Sequence, residues 1–206
     1  MVIGEHFVWG HLGKTGGDSV VRMFELLGRK HIVYADAVQS PDKHETFLQK
    51  EMLLGYDLTR ERKRILNIRR LPTWALSFVH QKQRESGRPV DFERLRRGLV
   101  FDHYQDNDKT KPVYLTIDTV LSTQICGRVD HWLRLECLAD DFISTMSEFV
   151  SISWLKKQRI RRVRRNVNTT YDRDPRAYFA DSQLEDLYRA CPLWSSIERQ
   201  VYSARQ

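Results

Sequence analysis

Residues 6–20 read HFVWGHLGKTGGDSV. His6, Phe7, Val8 and Trp9 form a short, mostly apolar run that ends at Gly10. Past the glycine-rich turn, Val20, Val21, Phe24, Leu26 and Leu27 recur at helical spacing and stop before Gly28. The pattern predicts strand, loop and helix. The next run, HIVYA at 31–35, is β-like, so the order predicts an α/β unit in which a helix crosses back to a parallel strand. In such a unit the first backbone N–H groups of the helix point outward at the positive end of its dipole, where a phosphate or sulfate fits. Gly16 and Gly17 leave that backbone open, Lys14 adds a point charge, and Thr15 and Ser19 offer hydroxyls. The alternative reading is that GKTGG is only a flexible turn.

Outward from this unit, 39–49 is polar and reads as loop and helix, while EMLLGYDL and RILNI look like two short buried strands. Pro72 suits the first turn of a helix over PTWALSFVHQKQR. The highly charged stretch 85–111 reads as a helix-and-loop insertion of the kind that shapes a pocket. PVYLTID and HWLRLECL are further strand candidates, and ADDFISTMSEFV has helical spacing. DSQLEDLYRACPLWSSIERQVYSA predicts two helices punctuated by Pro192. Alternating strands and helices predict a parallel β-sheet flanked by helices, in one domain over 1–206, because half of 206 residues would be short of core.

Composition narrows the chemistry. Hydrophobic residues make up 41% and aromatics 11%, enough for a packed interior. Lys and Arg total 34 against 27 Asp and Glu, and a net charge of +7 favours an anionic partner: nucleotide, acidic acceptor, nucleic acid or membrane surface. Cys126, Cys137 and Cys191 show no CxxC spacing, so neither a disulfide framework nor a zinc site is suggested. No apolar run approaches the ~18 residues of a membrane span, and no secretory leader is recognisable. A cytoplasmic protein with no membrane partner is the expectation.

The loop departs from the nucleotide-triphosphate motif G-x-x-x-x-G-K-[ST], because the position five before Gly13 is Val8. HLGKTGGDS instead resembles the 5′-phosphosulfate loop of the sulfotransferases, particularly the carbohydrate group, whose usual form is H-I-P-K-T-G-G-T-S. Gly13 stands for the proline and Asp18 for the threonine. The resemblance implies a P-loop-like sulfotransferase fold that binds 3′-phosphoadenosine 5′-phosphosulfate (PAPS) through Gly13, Lys14, Thr15, Gly16, Gly17, Asp18 and Ser19. In that family a strand ends in an arginine followed eight residues later by a serine at the start of a helix, the pair that holds the 3′-phosphate. In ILNIRRLPTWALSF, Arg69 and Ser77 have that spacing, with Arg70 as the substitute. WLRLECLADDF and CPLWSSIERQVY also resemble family segments, with Glu136 and Trp194 in structural parts.

The family's glycosaminoglycan enzymes often carry a catalytic histidine in a G-H pair; here the corresponding residues are Gly55, Tyr56 and Asp57. The resemblance implies Asp57 as the base that deprotonates the acceptor, since some sulfotransferases use an acidic residue, with His44 and His11 as other candidates; the alternative is that Tyr56 packs in the core and Asp57 is a turn residue. The run KKQRIRRVRR at 156–165 reads as a solvated helix face or a polyanion patch. By position it also resembles the part of sulfotransferases that folds over the nucleotide, which would bring Arg164, Arg165 or Asn166 to it. The resemblance thus implies transfer of a sulfuryl group from PAPS to a hydroxyl or amine, for example of a carbohydrate, leaving 3′-phosphoadenosine 5′-phosphate (PAP), with no metal. Lys14 would neutralise charge on the departing bridging oxygen, as in the loose, in-line transfers of phosphoryl groups. The alternatives are a P-loop kinase or NTPase using ATP and Mg²⁺, with Asp118 after the VYLTI run as its metal-supporting carboxylate, and a basic nucleic-acid-binding protein, which no recognition motif supports.

Overall fold

Only Glu5 and His6 separate the strand β1 (Val2–Gly4) from β2 (Phe7–Gly10). So short a link permits an antiparallel hairpin and no crossover, and Val2 faces Trp9 while Ile3 faces Val8. β3 (Ile32–Ala35) lies on the other side of β1, also antiparallel to it. β4 (Lys63–Ile68) runs parallel to β2, and β7 (His131–Arg134) parallel to β4, giving the order β3-β1-β2-β4-β7. The fold is α/β, with a mixed sheet flanked by helices, which corrects the expectation of a parallel sheet. β2 and β3 are both antiparallel to β1 and therefore parallel to each other, so the crossover from β2 to β3 keeps the predicted direction. The hairpin strand sits between them.

The computed structural model describes residues 1–36, 45–54, 61–105, 110–125, 127–163 and 170–203. These form two compact units: Met1–Ile68 with Gln124–Val167, and Arg69–Thr123 with Asn168–Gln206. The five-stranded sheet belongs to the first unit. There α1 (Gly17–Leu27) buries Val20, Met23, Phe24 and Leu27, the inward stripe its spacing predicts. The Phe24 ring stacks on Phe7 at 5.7 Å and meets Phe142 edge-on at 5.0 Å, joining α1 to β2 and to α6 (Leu138–Met146). At the start of β4, Asp130 accepts the Arg64 N–H at 2.9 Å. Burial pushes its carboxyl up, but that hydrogen bond and the charges of Arg128 and Lys63 outweigh it and hold the group below the usual carboxylate range.

EMLLGYDL is a second correction. Its described part lies in α2 (Phe47–Leu54), a helix and not a strand; residues 55–60 lie outside the described ones. A short apolar run does not distinguish strand from helix, and FLQKEMLL has no β-branched residue while Leu, Gln, Lys, Glu and Met all favour helix.

In the second unit, α3 (Leu71–Ser86) starts with Pro72 in its first turn and ends at Gly87, whose φ of 70° suits glycine. The charged stretch after it holds α4 (Phe92–Arg96) and also β5 (Leu99–Tyr104), a strand the charge pattern concealed. β5 pairs antiparallel with β6 (Pro112–Thr116) in a two-stranded sheet of its own. β6 ends before Ile117, so Asp118 lies in the first turn of α5 (Ile117–Ile125) and not on a strand. α8 (Asp181–Ala190) and α9 (Pro192–Ser203) are divided at Pro192 as predicted. Between them Cys191 is buried, and burial, helped by the charge of Asp118, pushes its thiol up to about 12. Among the described residues no helix is long and apolar enough to cross a membrane.

Candidate functional site: the loop between β2 and α1

β2 stops at Gly10, α1 starts at Gly17, and the six residues between them turn the chain. Among the described residues Lys14 is the non-glycine with a left-handed backbone, at φ 67°. For a side chain with a Cβ that conformation costs on the order of 1–2 kcal/mol, so the surroundings must impose it.

A buried polar chain under the loop does so. Trp9 Nε1 donates to Asn67 Oδ1 at 2.8 Å, Asn67 Nδ2 donates to the Thr15 carbonyl at 2.9 Å, and Thr15 Oγ1 donates to the Leu12 carbonyl at 2.6 Å. Asn67 and Thr15 are both wholly buried. Asn67 projects from β4, so the neighbouring strand fixes the shape of the loop. His11, also buried, stacks on Trp9 with ring centroids 5.5 Å apart. A Cβ on Gly17 would overlap that His11 ring, and one on Gly16 would come within 2.6 Å of Leu135 Cδ1. The two glycines are therefore required by the protein's own packing as well as by any ligand.

What remains outward is narrow. Gly13, Lys14, Gly16 and Asp18 are partly exposed, whereas Thr15, Gly17 and Ser19 are buried, and the Thr15 hydroxyl points to Leu12. Gly16 is the N-cap of α1, at φ 86°, and no side chain caps the helix. Ser, Thr, Asp or Asn would ordinarily accept from the first-turn donors there. The rim thus combines an uncapped helix start, the Lys14 ammonium and Asp18, the acidic residue of the first turn. The first two attract an anion. Asp18 stabilises the helix dipole and repels an anion.

Arg69 and Ser77 belong to the second unit. Arg69 is partly buried; its Nε donates to Thr73 Oγ1 at 3.0 Å and its carbonyl accepts from Trp194 Nε1 at 3.1 Å. Ser77 lies about two turns into α3, not at its start, and is buried. Arg70 is half-exposed, 3.3 Å from Glu198 Oε1 and stacked on the Tyr202 ring at 4.4 Å. Asp57, His44 and the stretch 164–166 lie outside the described residues. Asp118 accepts from the Leu193 and Trp194 N–H groups at 2.8 and 3.0 Å, so it caps the start of α9, which accounts for it without a metal ion.

Sequence reading missed Asn67, and the signal was present: one amide inside the apolar strand RILNI must find buried partners. It also overlooked the extended hairpin strand before the motif. Protein-family models, curated proteins and solved structures give no match to this chain.

Proposed function

We propose that the rim of this loop binds the phosphosulfate end of PAPS and that the chain is a sulfotransferase acting on a hydroxyl or amine. The observation that carries the reading is the uncapped, left-handed start of α1 beside Lys14, held rigid from below by Trp9, Asn67 and Thr15. The residues fit an anionic group: a glycine at the N-cap position and a lysine two residues before it flank the positive end of the helix, and the Thr15 hydroxyl is committed to the Leu12 carbonyl. Asp18, in the first turn of α1, opposes it.

PAPS, when bound, would supply the sulfuryl group. Lys14 would hold the anion and stabilise charge on the bridging oxygen, and the rigid floor would keep it oriented without reorganisation at the moment of transfer. Arg69 is the sequence's candidate for the 3′-phosphate. Ser77, buried within α3, is the weaker member of that pair. The proton acceptor is sought in Asp57 and His44, since His11 is packed beneath the helix. The engagement of Asp118 in capping α9 disfavours the Mg²⁺-dependent kinase.

Thermal melting with PAP, ADP and ATP plus Mg²⁺ tests the reading. PAP at 100 times its dissociation constant should stabilise by ~2.7 kcal/mol. ADP at the same concentration should do less, because it lacks the 3′-phosphate. Equal effects of ADP and PAP remove the sulfotransferase assignment, and preference for ATP with Mg²⁺ replaces it with the kinase.

A further inference from the structure

α7 (Trp154–Arg161) carries a surface apart from the loop between β2 and α1. Its first two residues are large and apolar, yet Trp154 is 69% and Leu155 63% exposed. Ile160 alone anchors the helix in the core of its unit, fully buried. Arg159, Arg161 and Arg162 are exposed as well. At helical spacing Leu155, Arg159 and Arg162 stand at i, i+4 and i+7 on one outward stripe, and Trp154 and Arg161 flank it at i and i+7.

Folding explains only part of this surface. Lys156 Nζ donates to the Leu27 carbonyl at 2.6 Å and closes the end of α1. Arg161 pairs with Asp140 at 2.9 Å, and arginines in a last turn complement the helix dipole. Among the described residues nothing accounts for an indole and an isobutyl group in solvent on successive positions at the other end of the helix. Together they make an apolar tip continuous with a cationic strip.

We propose that this face of α7 docks the protein on an anionic lipid bilayer, with Trp154 and Leu155 in the headgroup and acyl boundary and Arg159 and Arg162 on lipid phosphates and carboxylates. Charge complementarity and the apolar tip select this partner. Trp is the side chain best suited to a membrane interface, and arginine stems lie along apolar surface while their heads reach anions. A single-stranded nucleic acid would use the arginines and stack on Trp154, but it offers Leu155 nothing, and within α7 no second aromatic continues the face for a next base. The sequence expectation of no membrane partner rested on the missing spanning segment, which a surface contact does not require. With two anchoring side chains the contact is reversible.

The test is co-sedimentation of the whole chain with vesicles of equimolar phosphatidylserine and phosphatidylcholine, beside vesicles of phosphatidylcholine alone. Binding to the anionic vesicles only, weakened by salt and accompanied by a blue shift in tryptophan emission, is the expected result. Trp154→Ala with Leu155→Ala should abolish the shift and most of the binding. Arg159→Gln with Arg162→Gln should weaken binding by about fivefold per arginine. All four positions are exposed, so melting temperatures should stay unchanged. No sedimentation, equal sedimentation with both vesicles, or loss only in the arginine variant, which is plain charge attraction, overturns the proposal. So does a single-stranded oligonucleotide that displaces the protein from vesicles and loses its own binding in Trp154→Ala. The readout is binding and not transfer, so the result is independent of the sulfotransferase reading.

Discussion

The floor of the loop after β2 is made of buried side chains that satisfy one another, whereas its rim is made of glycines and charged residues that are partly exposed. Trp9, Asn67 and Thr15 form a closed chain of hydrogen bonds in the core, and the His11 ring occupies the space that Gly17 leaves. Gly16, Lys14 and Asp18 form an open edge with no capping side chain. Buried polar groups repay desolvation only when fully paired, so the floor is fixed by folding itself. The rim instead holds a lysine in a left-handed backbone and a glycine N-cap, features that cost stability. Floor substitutions should therefore act on stability, and rim substitutions on anion binding.

The largest expected effect is on the floor. Asn67→Ala leaves the Trp9 N–H and the Thr15 carbonyl buried without their partner, and each orphaned group costs ~1–3 kcal/mol. Urea unfolding should show the midpoint falling accordingly. A variant as stable as the wild type would mean that the loop is held by something other than this chain of bonds.

On the rim, Lys14→Gly separates the two roles more cleanly than Lys14→Ala, since glycine accepts φ 67° without strain. Stability should hold or rise. If the chain is the sulfotransferase proposed above, sulfate transfer from labelled PAPS to sugar, phenol and amine acceptors should fall by on the order of 10²-fold or more, because a lost charge-stabilising donor costs ~2.7–4 kcal/mol in the transition state. A folded Lys14→Gly variant with near-native turnover ends the assigned role of the lysine.

The rim was legible in the sequence and the floor was not, for a physical reason. GKTGG between a strand and a helix signals its conformation through glycine positions and turn chemistry, which are local. Asn67 stands out as an amide in an apolar strand, but its partner Thr15 lies 52 residues away across a strand pairing, and no local pattern records which residue that is. The same distinction explains the sheet: β2, α1 and β3 were readable in order, while the insertion of β1 between β2 and β3 depended on pairing. The strand β5, LVFDHY, was not legible because it lies within a charged stretch and its pairing with β6 leaves no local mark. Ser77 was assigned by spacing alone, and α3, starting at Leu71, carries it two turns from the helix start.

Arg69 tests how far spacing can be trusted. If it holds the 3′-phosphate, Arg69→Ala should weaken PAP binding by roughly 1.5–3 kcal/mol in calorimetric titration. Loss of its contact to Thr73 should change melting only slightly, since that bond is between partly exposed groups. An unchanged affinity for PAP directs the search to Arg70, whose guanidinium is held by Glu198 and Tyr202.

The smallest effect is the most discriminating, because floor-like and rim-like behaviour there have opposite signs. Asp18 sits in the first turn of α1, where its charge favours the helix dipole by ~0.3–1 kcal/mol. Asp18→Asn removes that charge with little change of shape, so the melting temperature should fall slightly. If the helix start takes an anion, removing the like charge should at the same time strengthen PAP binding, by a factor of about two to five on the same energy scale. The gain should shrink as salt is added, since the repulsion lies at a partly exposed position and is screened. Calorimetric titration with PAP and thermal melting, run on the same two proteins, read both quantities. Binding and stability falling together would place Asp18 with the floor, as a structural cap, and would leave the start of α1 without a role as an anion site.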